Sequence, residues 1–211
     1  MTGRRKRSAI LKNVVAAAIV GCLLSSVARG NEQASRLSAA ERMQQPGVEE
    51  DQLRRRAGTW AVVSRFRPSP DTPQIISEGL VAERTMIGLY LREVMRPASG
   101  SSAPDFTRIA YQYFSRVEGR WQYVSLDTRF PVGIMPAWSF GNERNGKLVM
   151  QFESLAFVGV GRDVEGRMIR SNLEITRESD DREFVRQFWV QSDGTGREWL
   201  AVEYEYTRLR R

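Results

Sequence analysis

Gly58-Thr59-Trp60-Ala61-Val62-Val63-Ser64-Arg65-Phe66 is the stretch that decides the fold of this 211-residue chain. Trp60, Val62, Ser64 and Phe66 alternate with Ala61, Val63, Arg65 and Arg67, the twofold period of a β-strand with one face turned to a core. The same period recurs where Ile109, Tyr111 and Tyr113 alternate with Arg108, Ala110 and Gln112. Further runs occupy 75–83, 88–96, 121–128, 134–140, 147–155, 167–177, 183–191 and 198–207, about ten strands in all. Turn-forming clusters separate them, among them Pro68-Ser69-Pro70-Asp71, Ser99-Gly100-Ser101-Ser102, Glu118-Gly119, Asn142 to Gly146, Glu165-Gly166, Asp180-Asp181 and Asp193-Gly194-Thr195-Gly196. Short, evenly spaced strands with no helices between them predict an all-β fold, an antiparallel up-and-down β-barrel whose first and last strands pair and so leave no edge. A β-sandwich is the alternative. No repeat of fixed period points to a propeller or solenoid.

Upstream of the barrel the pattern changes twice. Val48–Arg56 places Glu49, Glu50 and Asp51 early and Arg54, Arg55 and Arg56 late, the polarity that suits a helix dipole, with Leu53 and Val48 as its core contacts. Residues 31–47 are polar and end in Gln44-Gln45-Pro46-Gly47, which reads as a flexible tether. The first thirty residues hold Arg4, Arg5, Lys6, Arg7, Lys12 and Arg29 with no acidic residue, an apolar run from Val14 to Leu24, and small residues at Ala28 and Gly30. That is the layout of a signal peptide, which predicts a secreted or periplasmic product starting near Asn31. Ile19-Val20-Gly21-Cys22 resembles a bacterial lipobox, so lipidation of Cys22 and anchoring in the envelope is the alternative; an uncleaved anchor is a third, although the run is short of the ~20 residues a span needs. The domain layout is therefore 1–30 leader, 31–47 tether and 48–211 barrel.

Charge must be counted after the leader is set aside. The whole chain has 32 Lys and Arg against 25 Asp and Glu, a net +7. Removing the six leader cations leaves 26 against 25, about +1. Basic and acidic residues alternate at short intervals, as in Glu83-Arg84, Arg92-Glu93 and Arg177-Glu178, instead of forming a one-signed stripe, which argues against nucleic-acid binding. Histidine is absent and the single cysteine is Cys22. A chain processed near Asn31 thus has no thiol, disulfide or imidazole, which excludes Cys nucleophiles, Ser-His-Asp triads and Cys/His zinc sites. Val158-Gly159-Val160-Gly161 lacks the third glycine of a nucleotide loop, and Asp193-Gly194-Thr195 lacks the further carboxylates of a calcium loop. No cofactor and no metal is expected.

Trp60 opens the first strand and Arg208 closes the last, after Tyr204-Glu205-Tyr206-Thr207. In a closed meander these strands are neighbours, which brings the Arg208 guanidinium to the Trp60 indole face, a cation–π contact of roughly 0.5–2 kcal/mol. The Gly-x-Trp opening and terminal Arg resemble the closure of lipocalin-type (calycin) barrels. More closely, the chain is similar to an uncharacterised bacterial calycin-like family of unknown function that opens Gly-Thr-Trp and ends Tyr-x-Arg. The similarity covers roughly 50–210, through Ser77-Glu78-Gly79, Gly88, Phe106, Tyr111, Asp127 and Tyr206-Thr207-Arg208. It departs where Leu89, Gln112 and Ser125 stand in place of the family's Arg, Asp and Trp. The resemblance implies a fold and carries no catalytic residue.

With Trp60 inward, Phe66, Tyr111, Tyr113, Trp121 and Tyr123 are the candidate lining of an interior or mouth pocket, aromatic with a few polar tips, the lining a small hydrophobic or amphipathic ligand requires. Asp127 shares the face of Trp121, Tyr123 and Ser125, so a buried carboxylate there must be paired or protonated and is a candidate ligand anchor; Glu93, beside Leu91 and Met95, follows the same reasoning. The function expected is an exported, non-catalytic barrel that binds such a ligand. The alternative is an envelope-associated interaction module with a filled barrel, and a third reading is a hydrolase or isomerase built on Asp127, Glu93 and tyrosines.

Overall fold

The computed structural model describes residues 37–130, 132–140, 146–157, 167–192 and 196–210. The leader with Cys22, residues 31–36, and the Asn142–Asn145, Val158–Gly166 and Asp193–Thr195 segments lie outside the described residues. Two compact units divide the chain after Gln45. In the first, helix α1 (Ala39–Met43) lies within the stretch read as a tether; Ser38 and Glu41 cap it reciprocally, and none of its residues is buried.

The second unit contains helix α2 (Val48–Arg56) and strands β1 (Gly58–Phe66), β2 (Ile75–Ile87), β3 (Tyr90–Pro97), β4 (Arg108–Ser115), β5 (Arg120–Asp127), β6 (Met135–Trp138), β7 (Lys147–Phe152), β8 (Leu155–Phe157), β9 (Arg167–Arg177), β10 (Arg182–Gln191) and β11 (Glu198–Arg208). Each pairs antiparallel with its neighbours in the order β1-β2-β3-β4-β5-β6-β7-β9-β10-β11, and β11 returns to β1. The result is a closed ten-stranded antiparallel barrel. The run 147–155 that reads as one strand is broken at Glu153-Ser154: β7 and β8 lie one after the other along the same edge of β9, two halves of one stave. Glu153 N instead donates to Pro136 O at 3.2 Å.

Closure is made at one corner. Trp60 and Arg208 are registered partners, and the Arg208 guanidinium sits 4.3 Å from the Trp60 ring centroid. Its Nη1 donates to Ala57 O at 2.7 Å, its Nη2 to Arg55 O, and its Nε to Asp180 O at 3.0 Å. The last strand thereby supplies donors to carbonyls at the C-terminal end of α2, which a helix leaves without intrahelical partners. The glycine of the Gly-Thr-Trp motif is required here. Gly58 has φ +135°, and a Cβ would stand 2.7 Å from Arg208 Nη1. In the Ser77-Glu78-Gly79 motif β2 bulges, two residues facing the single Val63 of β1, and Gly79 takes a φ of +66°.

Helix α2 packs against β2, β3 and β4. Its buried residues are Glu50, Leu53 and Arg56, one face at a spacing of three, whereas Val48 is 67% exposed and contributes nothing to the core. The sequence reading assigned Val48 inward because it is apolar; the register of the helix puts a carboxylate and a guanidinium on the inner face instead. Inside the barrel, Trp60, Val62, Leu80, Ala82, Met95, Trp121, Met150, Leu173 and Tyr206 form a continuous core.

The corner generates a prediction. Gly58→Ala imposes a side chain at a left-handed backbone and displaces Arg208 from Ala57, so urea unfolding is expected to show a loss of about 1–3 kcal/mol relative to wild type. An unchanged midpoint would remove Arg208 from its place in the closure.

Candidate functional site

Five charged side chains meet inside the barrel, all buried. Arg84 and Glu93 are registered partners across β2 and β3, with Arg84 Nε 2.7 Å from Glu93 Oε2. Glu93 Oε1 also faces Arg108 Nη1 at 2.5 Å and accepts from the Tyr206 hydroxyl at 3.1 Å. Arg84 Nη2 reaches Glu183 Oε1 at 2.9 Å. Glu183 in turn holds Arg56, Nη2 at 2.9 Å and Nε at 2.7 Å. Arg56 Nη1 donates to Gln112 Oε1 at 2.6 Å, and Arg108 Nη2 donates to the Tyr123 hydroxyl. The Arg84 guanidinium lies 4.1 Å from the Tyr206 ring centroid and 5.0 Å from that of Trp60, so Trp60 meets Arg84 as well as Arg208.

Burial opposes ionisation of Arg84, Glu93, Arg108 and Glu183, and proximity reverses it. Desolvation raises the Glu93 carboxyl, but Arg84 and Arg108 outweigh it and hold the pKa at about 2. Glu183 is also lowered, against burial, by Arg56 and Arg84. Desolvation works against the charge of Arg84 and Arg108, yet Glu183 and Glu93 about the first, and Tyr123 and Glu93 about the second, keep both well above the ordinary arginine value. Burial pushes the Tyr123 and Tyr206 hydroxyls up, so both stay neutral.

At the opposite end of the barrel Phe66, Phe130, Phe157 and Trp189 form an edge-on and tilted aromatic cluster, with centroids 4.6–6.4 Å apart. Beneath it a cavity of about 30 Å³ has Arg108, Ser125, Asp127 and Ser171 on its polar side. Ser125 Oγ and Ser171 Oγ are buried without a hydrogen-bond partner. Two more interior cavities, of about 20 Å³ each, adjoin the ionic cluster and the α2 end. Each is large enough for about one water.

The residues singled out in the sequence separate into three places. Trp60, Trp121, Tyr123 and Asp127 are buried inside, and Phe66 is half-buried in the aromatic cluster. Asp127 is committed to Arg129, which donates to it from Nε at 2.9 Å and Nη2 at 2.6 Å and stacks 3.8 Å from the Phe106 centroid. Tyr111 and Tyr113 are corrections: they stand on the outer face, Tyr111 36% exposed. The inward residues of β4 are Arg108, Ala110, Gln112 and Phe114, so the polar members of the alternation face in and the tyrosines face out. Outside, Tyr113 packs on Tyr90 at 4.6 Å and its hydroxyl donates to Gln122 Oε1 at 2.5 Å. Together with Tyr111, Trp138 and Arg120, whose guanidinium lies 5.3 Å from the Trp138 centroid, they wall a groove of about 260 Å³.

Arg56, Arg84, Arg108 and Glu183 were not foreseen inside. Their signal was phase. Arg84 falls two residues after Ala82 and four after Leu80, on a face otherwise apolar, and Arg108 falls two before Ala110, on the face it shares with Gln112 and Phe114. The alternation of opposite charges in Glu83-Arg84 shows only that no one-signed stripe forms; it does not show that Arg84 points in, whereas Glu93 is already expected beside Leu91 and Met95.

No protein-family model matches the chain, and no curated protein matches it. The crystal structure of Rv2717c from M. tuberculosis is similar in fold, with 11% identity over 79% of this chain and 100% of that chain and a TM-score of 0.49. The closed antiparallel barrel stands; membership of a calycin-like family has no support from a family model, and no functional argument rests on the likeness.

The depressed carboxylates fix the acid response. A carboxyl lowered in the folded state adds stability that is complete above its unfolded pKa, near 4.5, and is lost as pH falls through the folded value, here about 2 for Glu93. With no histidine in the chain, the thermal midpoint is expected to be flat between about pH 7 and 5.5 and to fall steeply below about 4.5. Glu93→Gln is expected to unfold lower at neutral pH and to lose less on acidification than wild type. An acid slope identical to that of wild type would contradict the placement of this charge.

Proposed function

We propose that the protein is an exported, non-catalytic β-barrel that binds a small amphipathic molecule in the outer groove of β3–β6 and not in the barrel interior. The observation that carries the reading is the contrast in space: about 260 Å³ walled by Tyr90, Tyr111, Tyr113 and Trp138, with Arg120 and Gln122 as polar tips, against interior cavities of 20–30 Å³. Ligand sites combine aromatic walls with a few convergent polar groups, and the groove has both. Glu93, held ionised between two arginines, and Asp127, clasped by Arg129, serve as structural ion pairs in this reading, which takes from the hydrolase or isomerase alternative the two carboxylates it was built on. Export rests on the charged head and apolar run of the leader. The alternative, an envelope-associated interaction module, is favoured by the same filled interior; it gives the groove to a protein surface.

The probe is 1-anilinonaphthalene-8-sulfonate, an amphipathic aromatic, added to the folded full chain. Saturable binding with quenching of tryptophan emission is expected. The double variant Tyr111→Ala/Trp138→Ala is expected to bind at least tenfold more weakly, about 1.4 kcal/mol, with its unfolding midpoint close to wild type, while Phe157→Leu at the inner aromatic cluster leaves affinity unchanged. Affinity unchanged in the groove variant, or lost only in Phe157→Leu, would overturn the reading; absence of saturable binding to the wild type would favour the interaction module.

A further inference from the structure

We propose that the centre of the barrel is a binding site for one monatomic, monovalent anion, chloride in ordinary salt, seated between Arg84 and Gln112. Tyr111 and Tyr123 line both this cavity and the outer groove, but the proposed seat uses the side chains of Arg84 and Gln112, neither of which lines the groove. Among the described residues the linked cluster holds three guanidiniums, Arg56, Arg84 and Arg108, against two carboxylates, Glu93 and Glu183. One positive charge is in excess. The other two buried carboxylates do not balance it, because Glu50 pairs with Arg116 at 2.8 Å and Asp127 with Arg129 at 2.6 Å. A guanidinium does not shed its proton in a protein, and an unneutralised charge removed from water is strongly unfavourable. Ionisation of Tyr123 or Tyr206 would cancel the excess, but burial drives both hydroxyls away from ionisation.

The hydrogen bonds mark the seat. Arg84 commits Nε to Glu93 and Nη2 to Glu183, and its Nη1 is buried with no partner. Gln112 gives its carbonyl oxygen to Arg56, which turns the amide nitrogen the other way; Nε2 is likewise buried with no partner. Both residues line the same cavity of about 20 Å³, room for one small occupant, with Arg56, Arg108 and the carboxylate of Glu93 on the same lining. Two convergent donors beside an excess positive charge need an acceptor that is also negative. Water meets the first requirement and not the second; a monatomic anion meets both.

The test is thermal unfolding of the full chain in sodium gluconate replaced stepwise by chloride or bromide at constant ionic strength. A ligand held only by the folded state raises the midpoint by about 3 °C for each tenfold increase above its dissociation constant. That rise is opposite in sign to the general salt effect, since strongly hydrated anions stabilise more than halides. Gln112→Glu supplies the missing negative charge from a side chain of the same shape. It is expected to unfold above wild type in gluconate and to ignore halide. Should it fail to fold, Gln112→Met, which removes the donor without adding charge, is expected to need at least fivefold more halide for the same rise. A wild-type midpoint indifferent to halide, or a halide response undiminished in the variant that folds, would overturn the proposal.

Discussion

A closed barrel excludes water from its axis, and a charge placed there has only the protein to answer it. That constraint organises this molecule. Arg84 is directed inward by the alternation of β2, and once inside it must face Glu93 across the ladder and Glu183 from the far wall. Glu93 then takes Arg108 and the Tyr206 hydroxyl, and Glu183 takes Arg56 from the helix. Strands far apart in the chain are tied by side chains as well as by backbone ladders. A helix that would otherwise have only Leu53 to bury is fixed in register by Arg56 and Glu50.

Trp60 joins this interior to the seam. One guanidinium, Arg84, approaches it within the core and another, Arg208, from the seam, and its Nε1 donates to Arg56 O at 3.0 Å. The Gly-Thr-Trp motif and the terminal arginine therefore form a single device. Glycine leaves room for the guanidinium, the guanidinium reaches the carbonyls that end α2, and tryptophan fills the space between. Filling the barrel in this way leaves water-sized cavities inside and the roomier groove on the outer wall, where aromatic cross-strand neighbours carry little of the core.

The barrel was legible in the sequence because its evidence is local: period-two runs, turns between them, and a tryptophan and an arginine at the two ends. The inward faces of β1, β3 and β5 followed from the same alternation, with Glu93 and Asp127 correctly placed among apolar neighbours. The face of β4 did not. Ile109, Tyr111 and Tyr113 make the more apolar face, yet Arg108 and Gln112 point in because Glu93 of β3 and Arg56 of α2 meet them there. Gln112 and Arg56 are 56 residues apart and Arg56 and Glu183 127 apart, and no local pattern records such pairings. The outer groove was invisible for the same reason: Tyr90, Tyr113 and Trp138 become one surface only when β3 to β6 are laid side by side.

The account's central claim is that the interior charges stand as an interdependent set. A double-mutant cycle at Arg84 and Glu93, read by urea unfolding, tests it most directly. Glu93→Leu alone leaves three buried guanidiniums against the single carboxylate of Glu183 and is expected to lose about 3–5 kcal/mol; Arg84→Met alone, which leaves Arg56 and Arg108 facing Glu183 and Glu93, loses less, and the double variant loses much less than the sum. Losses that simply add would mean that the two charges do not depend on each other, and the organising role given to the buried network would be wrong.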